Sequence, residues 1–220
     1  MSETQEIGKN KKILLISLIV IIVIVLIVGL AFYFVSKEKS DENLFRLNEL
    51  YENLKTKTSY CFTTTLDDNN KMAYAKKDGK ACVDTIYDGN ESKFIIKDGN
   101  SYLIMEDRKI YYKYNNNEAD LNKIELALEE IKDLEHTNGE EKINNKKYKY
   151  EEYNVLTEFA IQDTSEISNG EDIKTRFYFD KDKLIYIKTI IGEKEELLKV
   201  DISDSVDNNL FEIPSDYKEI

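Results

Sequence analysis

The sequence holds a single histidine, two cysteines, one proline and no tryptophan among its 220 residues. Metal hydrolases, Cys–His nucleophiles and zinc modules draw on more imidazole and thiolate ligands than that. A single proline also rules out Pro-rich linkers. Cations are outnumbered, with 31 Lys and Arg against 43 Asp and Glu and a net charge of −12. Nucleic acid is therefore not an expected partner, because counterion release needs clustered basic residues that exceed the nearby acids. The chain has no nucleophile elbow, no phosphate-cradling glycine loop and no calcium loop of alternating oxygen ligands. The expectation is a protein that is not an enzyme, with no cofactor and no metal site. What the sequence does supply is apolar mass. With 15 Tyr, 9 Phe and 41% hydrophobic residues, it can bury a core, which excludes general disorder.

That mass is distributed unevenly. Ile13 to Val35 is a run of 23 residues without a charge, interrupted only by Ser17 and Gly29. As a helix it would reach ~35 Å, enough to cross a hydrocarbon core of about 30 Å. Phe32, Tyr33 and Phe34 crowd its far end, where a cleaved signal peptide wants small residues. The run therefore reads as an uncleaved single-span anchor. Lys9, Lys11 and Lys12 precede it while Lys37 and Lys39 follow, which favours a cytoplasmic N-terminus. The expected organisation is a cytoplasmic tail over 1–12, a transmembrane helix over 13–35 and an extracytoplasmic domain over 36–220. The corresponding location is the cell membrane, crossed once, with the C-terminal domain outside.

Beyond Ser36 the pattern becomes that of a folded, acidic domain. Leu44, Leu47, Tyr51 and Leu54 recur at three and four residues, predicting a helix over 41–57 with Asp41 as its N-cap. From Ser59 the period changes to two, with turn signals at Asp67-Asp68-Asn69-Asn70, Asp78-Gly79, Asp88-Gly89-Asn90, Asp98-Gly99-Asn100 and Glu106-Asp107-Arg108. These divide six strands in meander order, ending near Tyr114. A second helix is expected between Glu118 and Glu135, with Leu121, Ile124, Leu128, Ile131 and Leu134 on one face. A polar loop from His136 to Asn145 leads to a strand over 146–153. An exposed loop over 164–172 precedes three more strands over 173–179, 184–191 and 197–202. The count is about ten strands and two helices. The fold class is thus an N-terminal transmembrane helix plus an α+β ectodomain, its curved antiparallel sheet forming an incomplete barrel packed on the helices.

The order Phe177-Tyr178-Phe179-Asp180, Leu184-Ile185-Tyr186-Ile187, Asp207, Leu210-Phe211-Glu212-Ile213-Pro214 and Tyr217 resembles the ending of the LolA/LppX-like lipoprotein-carrier superfamily. The upstream run Ile95-Ile96-Lys97-Asp98-Gly99-Asn100-Ser101-Tyr102-Leu103, followed by Lys109-Ile110-Tyr111-Tyr112, is similar to its middle hairpins. The resemblance implies an incomplete antiparallel barrel wrapped over helices, with an apolar cavity for acyl chains. Independently of it, Pro214 restricts Ile213 to an extended conformation. Phe211 and Ile213 can then insert on one side while Glu212 stays out.

Two hypotheses of function follow. In the first, the membrane-anchored domain binds an apolar ligand, a lipid or a lipoprotein in a half-barrel cavity lined by Leu121, Ile124, Leu128 and Ile131. In the second, it is a structural or protein-interaction subunit of a cell-envelope complex, with a filled core. Cys61 and Cys82 stay open between a disulfide and two separate small apolar residues. The hairpin turns place Cys82 opposite Ala75 and Cys61 opposite Lys76, two strand spacings apart, which exceeds the ~7 Å limit for bridging unless curvature or another strand order intervenes. His136 reads as a helix C-terminal cap. Asn90-Glu91-Ser92 matches a glycosylation acceptor of the kind that arises by chance. Glu125, Glu129 and Asp133 have a spacing that could recruit calcium or form a solvated helix face.

Overall fold

Residues 46–115, 121–157, 159 and 172–220 are described by the structure, a computed structural model. The chain divides into two units, Met1–Leu44 and Phe45–Ile220, and all the described residues belong to the second. Helix α1 is Arg46–Thr56. A meander of strands follows: β1 (Ser59–Asp67), β2 (Asn70–Lys77), β3 (Lys80–Tyr87), β4 (Asn90–Lys97), β5 (Asn100–Met105) and β6 (Ile110–Tyr114). The Asp78-Gly79, Asp88-Gly89 and Asp98-Gly99 pairs all have positive φ at both positions. This is the geometry of a two-residue hairpin turn whose twist matches the flanking strands. Helix α2 (Lys123–Glu129) comes next, then β7 (His136–Ile143), β8 (Lys146–Tyr153), β9 (Ile173–Asp180), β10 (Lys183–Ile191), β11 (Lys194–Ser203), a short 3-10 turn over Asn208–Phe211 and β12 (Lys218–Glu219).

The twelve strands form one sheet in the order β12-β6-β5-β4-β3-β2-β1-β11-β10-β9-β8-β7. Every pairing is antiparallel except that of β12 with β6, which is parallel. Both faces carry a core. On one, Leu47, Tyr51 and Leu54 of α1, Ile124 and Leu128 of α2 and Ile131 just beyond it pack on Tyr60, Phe62, Phe177, Ile187 and Leu198. On the other, the C-terminal strap lays Val206 and Phe211 over Ala75, Cys82, Ile95 and Ile104, with Ile213 and Tyr217 packed beside them. Phe211 is buried while Glu212 is exposed, as the Pro214 argument requires. Lys97 donates to the Phe211 carbonyl at 2.7 Å, Tyr217 donates to Glu106, and β12 closes the strap onto β6.

Two strands exceed the expected count. β7 occupies the segment read as a polar loop, and β12 is too short to show a period. Gly139 of β7 stands opposite Tyr150, and a Cβ there would lie 2.4 Å from the tyrosine ring. The ring covers the bare backbone, which holds a polar edge strand in register. Helix α2 is shorter than its apolar stripe, and the chain leaves the helical path after Glu130. Leu134 is consequently 43% exposed.

The expected architecture needs correction in two respects. The sheet is not an incomplete barrel but an open sheet, with β7 and β12 at its opposite ends. Closure is unnecessary because helices cover one face and the strap the other, so apolar side chains are buried without curling the sheet onto itself. The tail over 1–12 and the apolar run over 13–35 lie outside the described residues, as do Asp41 and most of the loop expected over 164–172. Among the described residues no helix is long and apolar enough to cross a membrane; the longest, α1, has 11 residues and a charged outer face. The expected transmembrane helix, membrane partner and single-pass cell-membrane location therefore find no support among the described residues. What the structure shows is an α+β domain built on an open antiparallel sheet.

Candidate functional site

The helices are fastened to the sheet by carboxylates. Glu151 of β8, 2% exposed, accepts the backbone N–H groups of Arg46 at 2.6 Å and Leu47 at 3.2 Å. A strand side chain thus serves the helix start that Asp41 was expected to cap. The Tyr153 hydroxyl donates to the same carboxylate at 3.0 Å. Glu125 of α2 is 5% exposed and accepts from the Tyr60 hydroxyl at 2.6 Å and from Lys76 at 2.8 Å. Burial, reinforced by these carboxylates, holds the Tyr60 and Tyr153 hydroxyls protonated well above the ordinary tyrosine range. Glu129 accepts from Tyr51 at 2.8 Å, which ties α2 to α1. Of the acidic face expected to be solvated or to recruit calcium, only Asp133 is exposed without a partner on the core helices, and it pairs with Lys132.

Three of the four residues expected to line a ligand cavity are core. Leu128 is 0%, Ile124 2% and Ile131 3% exposed. Leu121 is half-buried, and its carbonyl accepts the Tyr74 hydroxyl. Ile124 alone borders a hollow, of about 220 Å³, shared with Met72, Tyr74, Val83 and Phe159. This falls below the roughly 300–1,000 Å³ of a ligand pocket. A larger cleft of about 560 Å³ lies elsewhere, between α1 and the β10 and β11 strands, and none of the four lines it. The reading of a membrane-anchored domain with an apolar ligand in a half-barrel cavity is corrected accordingly. The sheet is open, no described helix spans a membrane, and the stripe on α2 is closely packed.

Among the described residues, the helix-bearing face continues from the core at Tyr74 and Val83 to side chains that neither core includes. Tyr74, Val83, Phe94, Leu103 and Tyr112 stand directly opposite one another across β2 to β6, forming one registered row. Met105 and Ile110 pair in the next row. Phe94, Leu103, Met105, Ile110 and Tyr112 are all half-buried and belong to neither core cluster of the described residues. The alternation that defined these strands marked the five side chains as inward, yet the buried residues of α2 cluster with other parts of the sheet.

On the opposite face, β7 to β10 carry an interlocked polar network. Glu141 meets Lys188 at 2.5 Å and Arg176 at 2.9 Å, and Tyr178 donates to it at 2.5 Å. Burial opposes ionisation of Glu141, but Lys188, Tyr178 and Arg176 outweigh it and hold the carboxyl below the usual range. Arg176 also pairs with Glu152 at 2.5 Å and lies 4.7 Å over the Tyr150 ring. Every charge here has its counterpart, so the network is structural.

Cys61 and Cys82 are free thiols. Both stand opposite Ala75, on either side of β2, two strand spacings apart and beyond bridging distance. A register shift between Thr65 and Asp67 moves Cys61 one place from the expected position opposite Lys76. Burial, then the Asp84 charge, pushes the Cys82 thiol up to about 12. A folded value above the unfolded one contributes stability that is complete below about pH 9 and is lost as pH climbs from there toward 12. In native protein at pH 9, iodoacetamide is expected to label Cys61 first and Cys82 only at the rate of unfolding. Equal labelling of both in the native state would contradict the burial of Cys82. His136 begins β7 rather than capping a helix, with its ring 5.0 Å from that of Tyr153. Asn90 lies at the exposed start of β4. Among the described residues no cluster of three or more His, Cys, Asp or Glu side chains could hold a metal ion.

No family model matches the chain, and no curated protein matches it. Among solved structures, it is similar to an uncharacterized conserved protein from Thermus thermophilus, at 10% identity and a TM-score of 0.45, covering 79% of this chain and 96% of that one. None of these comparisons assigns a family.

Proposed function

We propose that the domain is a non-catalytic protein-interaction module with a filled core, whose contact surface is the apolar row across β3 to β6. The observation that carries this reading is the registered set Val83, Phe94, Leu103 and Tyr112, half-buried on a single stretch of sheet. Contiguous apolar area left beside a completed core, and rich in aromatic rings, is characteristic of protein contact surfaces. The burial of Leu128 and Ile131 supports it from the other side, because these side chains belong to the packed core.

The test is site-specific crosslinking in the native host. A photoreactive benzoylphenylalanine at Leu103 is expected to yield a discrete protein adduct, and one at exposed Lys181 is not. Leu103→Ser should abolish copurification of that partner while costing the fold only about 1 kcal/mol, since Leu103 is only half-buried. Absence of any adduct at Leu103, or adducts of equal yield at Lys181, would defeat the proposal.

A further inference from the structure

We infer that the cleft between α1 and the β9–β10 turn is a second docking site, which takes a cationic segment of a partner protein anchored by aliphatic side chains. The cleft holds about 560 Å³, within the size range of binding pockets. Its floor is apolar, made by Leu50, Leu184, Val200 and Ile202. Leu184 and Val200 are buried, whereas Leu50 and Ile202 keep part of their surface open to the cleft. The rim is charged and its acids are in excess. Lys57 is taken up by Asp204 in an ion pair, which leaves Glu49, Asp182 and Asp201 against Lys183 as the one other cation among the described lining residues. The protein as a whole repeats that imbalance at −12.

An anionic amphiphile would meet repulsion at this rim, whereas a lysine-bearing segment meets complementary charge. Its shape favours a chain segment over a compact cation. From Glu49 to the helix end at Thr56 the wall runs ~10 Å at ~1.5 Å per residue, which matches about three residues of extended chain at ~3.3 Å each. Alternate side chains of such a segment would enter the floor while those between them reach the rim. This site uses α1, β10 and β11, and so it stands or falls separately from the row on β3 to β6.

The experiment uses the full-length chain and three fluorescein-labelled synthetic decapeptides, alternating lysine–leucine, lysine–serine and glutamate–leucine, followed by fluorescence anisotropy. The lysine–leucine peptide is expected to bind about tenfold or more tightly than either control. The double variant Glu49→Lys with Asp182→Lys, both exposed, should weaken that binding about tenfold or more without moving the melting temperature, whereas Leu103→Ser leaves it unchanged. Equal binding of the lysine–serine peptide would reduce the site to nonspecific charge and overturn the inference. So would binding that survives the rim reversal, binding that disappears with Leu103→Ser, or no saturation below about 1 mM. The crosslinking result at Leu103 is independent of all these outcomes.

Discussion

Replacing Leu128 by alanine is expected to destabilise the domain by about 2–5 kcal/mol, the range for emptying a closely packed leucine site. Leu128 is 0% exposed, lies in the cluster that joins α1, α2 and the sheet, and borders neither of the two hollows. Its neighbours are held on a sheet and a second helix, so they can collapse only partly into the space. For a domain of this size each kcal/mol lowers the melting temperature by about 2–4 °C, so thermal unfolding followed by circular dichroism resolves the effect easily. A variant that melts with the parent protein would mean that the site is loosely packed, and the filled-core reading would then fail.

The second large effect is expected at Glu151. Replacing it by alanine leaves three donors without an acceptor: the Arg46 and Leu47 amides and the Tyr153 hydroxyl. Orphaned buried donors cost about 1–3 kcal/mol each, and partial rehydration at the helix end brings the expected total to about 2–4 kcal/mol. Glu151→Gln keeps an acceptor oxygen and should recover roughly half of this. Native-state hydrogen exchange separates the cap from a general loss of stability, because α1 amides should open at much lower free energy while those of β2 and β3 keep most of their protection. Equal protection of α1 in the alanine variant would show that the carboxylate is not what holds the helix start.

The meander was legible because each of its turns is written locally. An Asp-Gly pair adopts positive φ at both positions at little cost, whatever the rest of the chain does, and a two-residue loop then sets the register of the strands on either side. The same kind of signal stood at Asn144-Asn145, where both residues have positive φ, but the strand before it was hidden. β7 is an edge with polar side chains on both faces and a glycine in the middle, so it has no apolar alternation to read. Its existence depends on Tyr150 covering Gly139 and on β8 supplying the hydrogen bonds. The acidic residues of α2 misled for a similar reason. Glu125 has the spacing of a solvated face, and only the positions of Tyr60 and Lys76 turn it into a buried anchor.

By itself the sequence determined most of the strands, where the hairpins turn, which side of α1 and α2 is apolar, and how Phe211 and Ile213 dock under the restriction that Pro214 imposes. These properties rest on backbone preferences and on periods of 2 and 3.6 residues, which act over a few positions. The tertiary structure alone decided whether the sheet closes, whether the stripe on α2 lines a cavity or fills one, which carboxylates are buried, and which apolar residues are left over. Each of those depends on how far a helix reaches across a sheet of twelve strands and on side chains more than a hundred residues away, as in the bond from Arg46 to Glu151. An inward-facing side chain on β4 to β6 has the same local pattern whether a helix covers it or not, so only the tertiary structure shows that Phe94, Leu103 and Tyr112 belong to neither core of the described residues.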